Sequence, residues 1–542
     1  MKRKTLLTQL KPELDAAHAE RAGQLLDAVA SYLLDDGPTR LTDEPPAFTF
    51  DPEAASSYVP EPVDLPAGMR GADPGAAAEV DPEWMDPFQL ADAMRSGALD
   101  RTEVLERFRT RFAELDPMLN AFACYTLDPS GGSEGVLGGV PVGVQDMIGT
   151  AGVPTAAGSR LLDGYVPTED ASAWSALAGE GAVLAGKLNT QEFAAGTSGE
   201  NEWYGAVRNP WNPMHLAGGA ASGPGAAVAA GLVSAAIATD PGGSIRVPAA
   251  HCGVVGLKPT FGAIDRTGTL PLTWSTETLG VLARTTRGAA QIADLLLDGR
   301  ARTRWGRTCQ SAAQAGAASG RVPLRIGVPS SWLAMGLDPE VSAAFQRALV
   351  VLRSLGATVI DVDLPDAARI APAHRAIAFS EASSIHEELI LTRADGYGEV
   401  IRDRQEAGRG VLASEYLKAW RLRGQFIRHF SEAWRGVDVV ALPTSPVPAA
   451  TPGTTTLTTG SRGPEPLHTV YTRYSAPMST LGLPALSVPC GFTVDELPIG
   501  MQLSGPPHAE PLLFHVAGAY EAAAGFAGIH PLLAREERKE PA

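Results

Sequence analysis

Cysteine is scarce in these 542 residues. The four present, Cys124, Cys252, Cys309 and Cys490, lie far apart with no paired spacing, which excludes a disulfide framework and a sequence-local zinc site, so no metal is expected. Basic residues are also short, 44 against 61 acidic, for a formal net charge of -17. No basic stripe compensates locally, and such a surface repels nucleic-acid phosphates and anionic membranes. Long apolar runs are missing as well. The longest, Gly225 to Ala238, is too short to span a bilayer and is built of alanine and glycine. The opening Met1, Lys2, Arg3 and Lys4 suggest a signal peptide, but Gln9, Lys11, Glu13 and Asp15 interrupt any apolar stretch behind them. These absences predict a cytoplasmic chain with reduced thiols, no membrane segment and no nucleic-acid contact of its own.

What the chain does have is a glycine-rich turn carrying a hydroxyl. Thr239, Asp240, Pro241, Gly242, Gly243, Ser244, Ile245, Arg246, Val247 and Pro248 place a serine where glycines let backbone amides approach a developing negative charge. Upstream stand Gly218, Gly219, Ala220, Ala221, Ser222 and Gly223, then the alanine-rich run; downstream come Cys252, Gly253, Val254, Val255, Gly256, Leu257, Lys258, Pro259 and Thr260. This succession resembles the amidase signature family, whose core reads Gly-Gly-Ser-Ser, an alanine-rich helix, then Thr-Asp-x-Gly-Gly-Ser-Ile-Arg. The likeness continues in order through Leu90 to Ala123, Gly139 to Thr155, Gly181 to Gly196, Arg208 to Pro213 and Ser475 to Gln502.

The resemblance implies a nucleophilic serine at Ser244, a lysine base and a relaying serine in a cis peptide, acting on amide carbonyls through an acyl-enzyme. Two positions depart from it. Gln145, beside Asp146, stands where the lysine belongs, and an amide has no useful basicity. Ala220 stands where the cis-serine belongs, and a methyl group relays no proton. Ser222 is the nearby hydroxyl that could replace it. The oxyanion site implied for Gly242, Gly243 and Ser244 also loses one donor, because Pro241 has no N–H. His251, seven residues after Ser244, is the first candidate for a substitute base, with Asp146 and the more distant His215 behind it.

The organisation expected is an N-terminal helical arm over residues 1–40, a Pro/Gly-rich linker over 41–85 and an amidase signature domain over 86–542. Ala22, Leu25, Leu26, Val29 and Leu33 recur at helical spacing, and Asp35, Asp36, Gly37 and Pro38 supply a stop. The segment around Phe48 and Phe50 resembles the small accessory subunits that wrap some relatives; an arm packing on its own domain is the other reading. The fold implied is α/β, a mixed central sheet covered by helices on both faces, with Val144, Val183 and Val254 to Leu257 in buried strands. Pro443 to Pro448 and Thr451 to Arg462 are expected as loops over the pocket.

With both relay positions changed, the leading expectation is a non-hydrolytic pseudo-amidase that binds a small molecule or a partner protein, without cofactor. One alternative is an amidase-fold enzyme repurposed to acyl transfer or other non-hydrolytic chemistry. Another is an amide or ester hydrolase using Ser244 with a substitute base.

Overall fold

The computed structural model describes residues 16–34, 81–128, 134–460 and 462–531. The 41–80 part of the expected linker lies outside them, as do Phe48 and Phe50. Eleven strands form one mixed sheet. In chain order these are β1 (Phe122–Tyr125), β2 (Pro141–Gln145), β3 (Val183–Leu188), β4 (Ala235–Thr239), β5 (Val255–Lys258), β6 (Leu279–Ala283), β7 (Arg325–Val328), β8 (Thr358–Asp361), β9 (Val439–Pro443), β10 (Ala485–Phe492) and β11 (Pro498–Ser504). Their spatial order is β1-β3-β2-β4-β6-β5-β10-β11-β9-β7-β8. The central strands are short apolar runs, and every residue of β2, β4, β5 and β6 is buried. That is the pattern of strands covered on both faces.

Strand β4 pairs parallel with β2 on one side and antiparallel with β6 on the other. The direction of the sheet therefore changes at β4, and the carboxyl ends of β2 and β4 open a crevice of the kind in which ligands bind in open α/β sheets. The N-terminal arm is α1 (Ala16–Leu34). Two short helices flank the crevice: α2 (Ser222–Ala229) precedes β4, and α3 (Arg246–Cys252) follows the turn after β4. Small residues let α2 sit against its neighbours: a Cβ at Gly223 would come 2.4 Å from the Asn189 carbonyl oxygen. Two longer helices, α4 (Ala367–Ile385) and α5 (Glu399–Arg409), pack on each other and close the crevice from outside. A short helix, α6 (Ala476–Thr480), completes the wall.

The arm packs on this helical layer. Ala22 and Leu26 of α1 bury against Ala407 of α5, with Leu25, Phe379 and Val411 around them. Arg21 bonds Asp403 at 2.5 Å and Glu399 at 2.7 Å. The side chains of Val29 and Leu33 lie outside the described residues.

Candidate active site

The turn from Asp240 to Ser244 is held from behind by a buried ion pair. Arg246 directs Nε and Nη2 to the two oxygens of Asp240, both at 2.9 Å. Its remaining reach goes to the Ser475 carbonyl at 2.8 Å, Gln502 Oε1 at 2.6 Å and Ser479 Oγ at 2.8 Å. Asp240 also accepts the N–H groups of Gly243 and Ile245. Burial alone would raise the Asp240 carboxyl, but the Arg246 guanidinium holds it below the usual carboxylate range. Gly243 takes φ +128°, and a Cβ there would lie 2.2 Å from Ser475 Oγ, so only glycine fits this corner.

In front of the turn is a cavity of about 120 Å³, lined by Gly242, Gly243 and Ser244 on one side and by residues of α4, α5 and α6 on the other. Ser244 is 6% exposed, into this space. The N–H groups of Gly242 and Ser244 donate to no protein acceptor among the described residues. They are the donors available to an oxyanion. The expectation for Gly243 is corrected here: it lines the cavity, but its N–H is committed to Asp240.

Gln145 ends β2 and is fully buried. Its carbonyl accepts from Thr239 N at 2.7 Å and its amide donates to Thr190 Oγ1 at 2.8 Å, so it ties β2 to the end of β4. Thr190 in turn donates to the Ala220 carbonyl at 3.0 Å. Ala220 is buried in a small apolar cluster with Met147, Phe193 and Leu272. Asp146 accepts from the N–H groups of Ala156 and Gly158, both within 3.2 Å, which pins a loop; burial raises its pKa to about 6 against the pull of Lys187. Neither Lys187 nor Lys258 lines the cavity. Lys187 Nζ bonds the Ile148 carbonyl, and Lys258 Nζ bonds that of Pro259 at 2.8 Å.

The structure does not bring His251 into the cavity. Its ring sits behind Gly218, with Nδ1 2.4 Å from where a Gly218 Cβ would be and Nε2 3.2 Å from the Val447 carbonyl, and burial lowers its pKa to about 4. Ser222 is fully buried with an unpartnered hydroxyl, and His215 lies on the strand Asn212–Leu216, away from the cavity. The segments expected as loops over the pocket are also not its cover: residues 443–447 are buried, with the 443 end in β9, and the wall opposite Ser244 is helical.

That wall carries the residues sequence reasoning passed over: His374, Arg375, Arg404, Gln405 and His468. Among the described residues no Asp or Glu lines the cavity. Burial and the neighbouring Arg375 lower Arg404 to about 10. Burial, Arg404 and Arg375 push His468 down to about 3. The cavity wall is thus cationic where the turn behind Ser244 is neutralised. The available signal was the scarcity of histidine, 10 in the chain, which made each one worth placing. Among the described residues no group of His, Cys, Asp and Glu could hold a metal ion, and no helix is long and apolar enough to cross a membrane.

Residues 103–514 match the family model described as Amidase. The chain is 35% identical over 482 residues to a glutamyl-tRNA(Gln) amidotransferase subunit from Symbiobacterium thermophilum, covering 81% of this chain and 97% of that one. It is 38% identical to the protein of the same name from Anaeromyxobacter dehalogenans, over 78% and 93% of the two chains. A crystal structure of an amidase superposes with a TM-score of 0.73 at 31% identity, covering 81% of this chain and all of that one. These likenesses overturn the expectation of a non-hydrolytic pseudo-amidase, because nearly full-length relatives at this identity carry the names of working enzymes.

Proposed function

Because the chain belongs to the amidase family, we propose that it is an acyl-transfer enzyme acting on amides, with Ser244 as nucleophile and an anionic group on the substrate held by Arg404. The observation that carries this reading is the pairing of two features in one cavity. An unengaged serine hydroxyl stands beside two free backbone N–H groups, and opposite it lies the Arg404 guanidinium, with no carboxylate among the described lining residues. A buried cation without a lining carboxylate favours an anionic ligand, and a guanidinium fork matches a carboxylate in geometry. Attack by Ser244 on the carbonyl would place the oxyanion against Gly242 and Ser244 N–H, and losing one such donor costs about 3 kcal/mol in a working enzyme. The acyl group then passes to an amine or to water.

The amidotransferase relatives are named as subunits, and a partner protein for this chain is part of the proposal. With a net charge of -17, contacts to RNA would fall to that partner.

The test offers the protein a series of primary amides, with and without a carboxylate three to four carbons away, and adds hydroxylamine as acceptor. Expected are hydroxamate formation from the carboxylate-bearing members and a mass increment on the Ser244 peptide. Neither product from any member would remove this reading.

A further inference from the structure

We propose that His374 is the general base that serves Ser244. This rests on the reading of Ser244 as nucleophile and supplies what that reading lacks, a group able to take the serine proton. His374 projects from α4 into the same cavity as Ser244, and its Nε2 lies 3.1 Å from where a Cβ on Gly242 would be. The ring is therefore against the backbone of the turn, two residues from the hydroxyl.

Its protonation pattern follows from its neighbour. Thr480 Oγ1 is 2.9 Å from His374 Nδ1 and 2.8 Å from the Ala476 carbonyl. A carbonyl only accepts, so the single hydroxyl proton of Thr480 goes to Ala476. Toward the ring the Thr480 oxygen must accept, which places the ring proton on Nδ1. Nε2 is left with its lone pair, faces the cavity and has no protein partner among the described residues. This is the arrangement in which one ring nitrogen is fixed by a hydrogen bond and the other is free to accept a proton. Burial, with Arg375 and Arg423 nearby, lowers the imidazole to about 4, so it is neutral at physiological pH. His468 lines the cavity too, but no oriented partner holds its ring among the described residues, and the charges of Arg404 and Arg375 act on it.

The step balances within these groups. As the bond from Ser244 Oγ to the amide carbonyl carbon forms, the Oγ–H bond breaks and its proton passes to Nε2. Collapse of the oxyanion breaks the C–N bond, and Nε2 returns the proton to the leaving amine. An acceptor amine or water then attacks the acyl ester, gives its proton to Nε2, and Ser244 Oγ recovers it on release. Thr480 is a positioning residue that fixes the tautomer.

The experiment measures the rate at which a fluorophosphonate labels the Ser244 peptide in the full chain, with thermal melts run alongside. General-base catalysis contributes about 10²- to 10⁴-fold, so His374→Gln is expected to slow labelling at least 100-fold, and His374→Ala is expected to regain rate as free imidazole is added. Thr480→Val keeps the histidine and is expected to slow labelling about tenfold; it decides the matter if the His374 variants do not fold. Labelling of H374Q, or of T480V, within twofold of the unmodified rate overturns the role of His374 while leaving Ser244 as nucleophile. No labelling of Ser244 in the unmodified protein overturns the nucleophile reading and this inference together.

Discussion

Behind the Ser244 turn and in front of it, the same kind of side chain does opposite work. Behind, Arg246 meets Asp240, Ser475, Ser479 and Gln502, and its charge is answered within the protein. In front, Arg404 donates to the Ala195 carbonyl and lines the cavity with Arg375 and His468, and no carboxylate among the described residues lines that space. A guanidinium with its complement in place rigidifies a turn; one facing the cavity without a carboxylate is available to a ligand. On the proposed function, structural and recognition charge lie on opposite sides of one turn of backbone.

The sharpest way to break the rear arrangement is Arg246→Met. It strands a buried Asp240 carboxylate, and removing one partner of a buried pair costs about 3–5 kcal/mol. Urea denaturation should show that loss, and a midpoint unchanged from the unmodified protein would mean the pair does not hold the turn. In front, Arg404→Met gives up the bond to the Ala195 carbonyl and should cost about 1–3 kcal/mol, less than Arg246→Met. A hydrogen bond to a charged group is worth about 1.5–3 kcal/mol, so KM for carboxylate-bearing amides should rise roughly 10- to 150-fold, with kinetics on neutral amides unaltered. Equal losses on both substrate types would deny Arg404 a recognition role.

Gln145→Leu tests the tie between β2 and β4. It leaves Thr239 N unsatisfied in the interior, at about 1–3 kcal/mol, and calorimetry should register this whether or not the serine reacts. Lys258→Met removes a pH dependence rather than a fixed contribution. Burial, then Arg246, lowers Lys258 to about 7 from 10.5. Between those values the unfolded chain carries a proton that the native chain lacks, so stability rises with pH across this window. Comparing urea midpoints at pH 7 and 9.5 should show that rise in the unmodified protein and a flatter one in K258M.

The turn, the strand ends and the order of elements were legible because each is written locally. Glycines at 242 and 243 and small residues through 222–230 permit little else, and the apolar runs of β2 and β4 announce buried strands. The cavity wall was not legible. His374, Arg404 and His468 come from separate helices, more than a hundred residues after Ser244, with no motif around them, and only packing brings them opposite the serine. His251 misled for the converse reason. It is near Ser244 in the chain, but α3 turns its ring toward Val447 and away from the cavity.

Phe379 belongs to two surfaces at once: it lines the cavity and it packs under the N-terminal arm. A change of size at that position made to suit a new ligand would also unseat Leu25 and Leu26, and a change in the arm would be felt by whatever occupies the cavity. Drift in one part of the chain is thereby yoked to drift in the other. Ligand preference and the sequence of α1 are expected to diversify together among descendants of this protein.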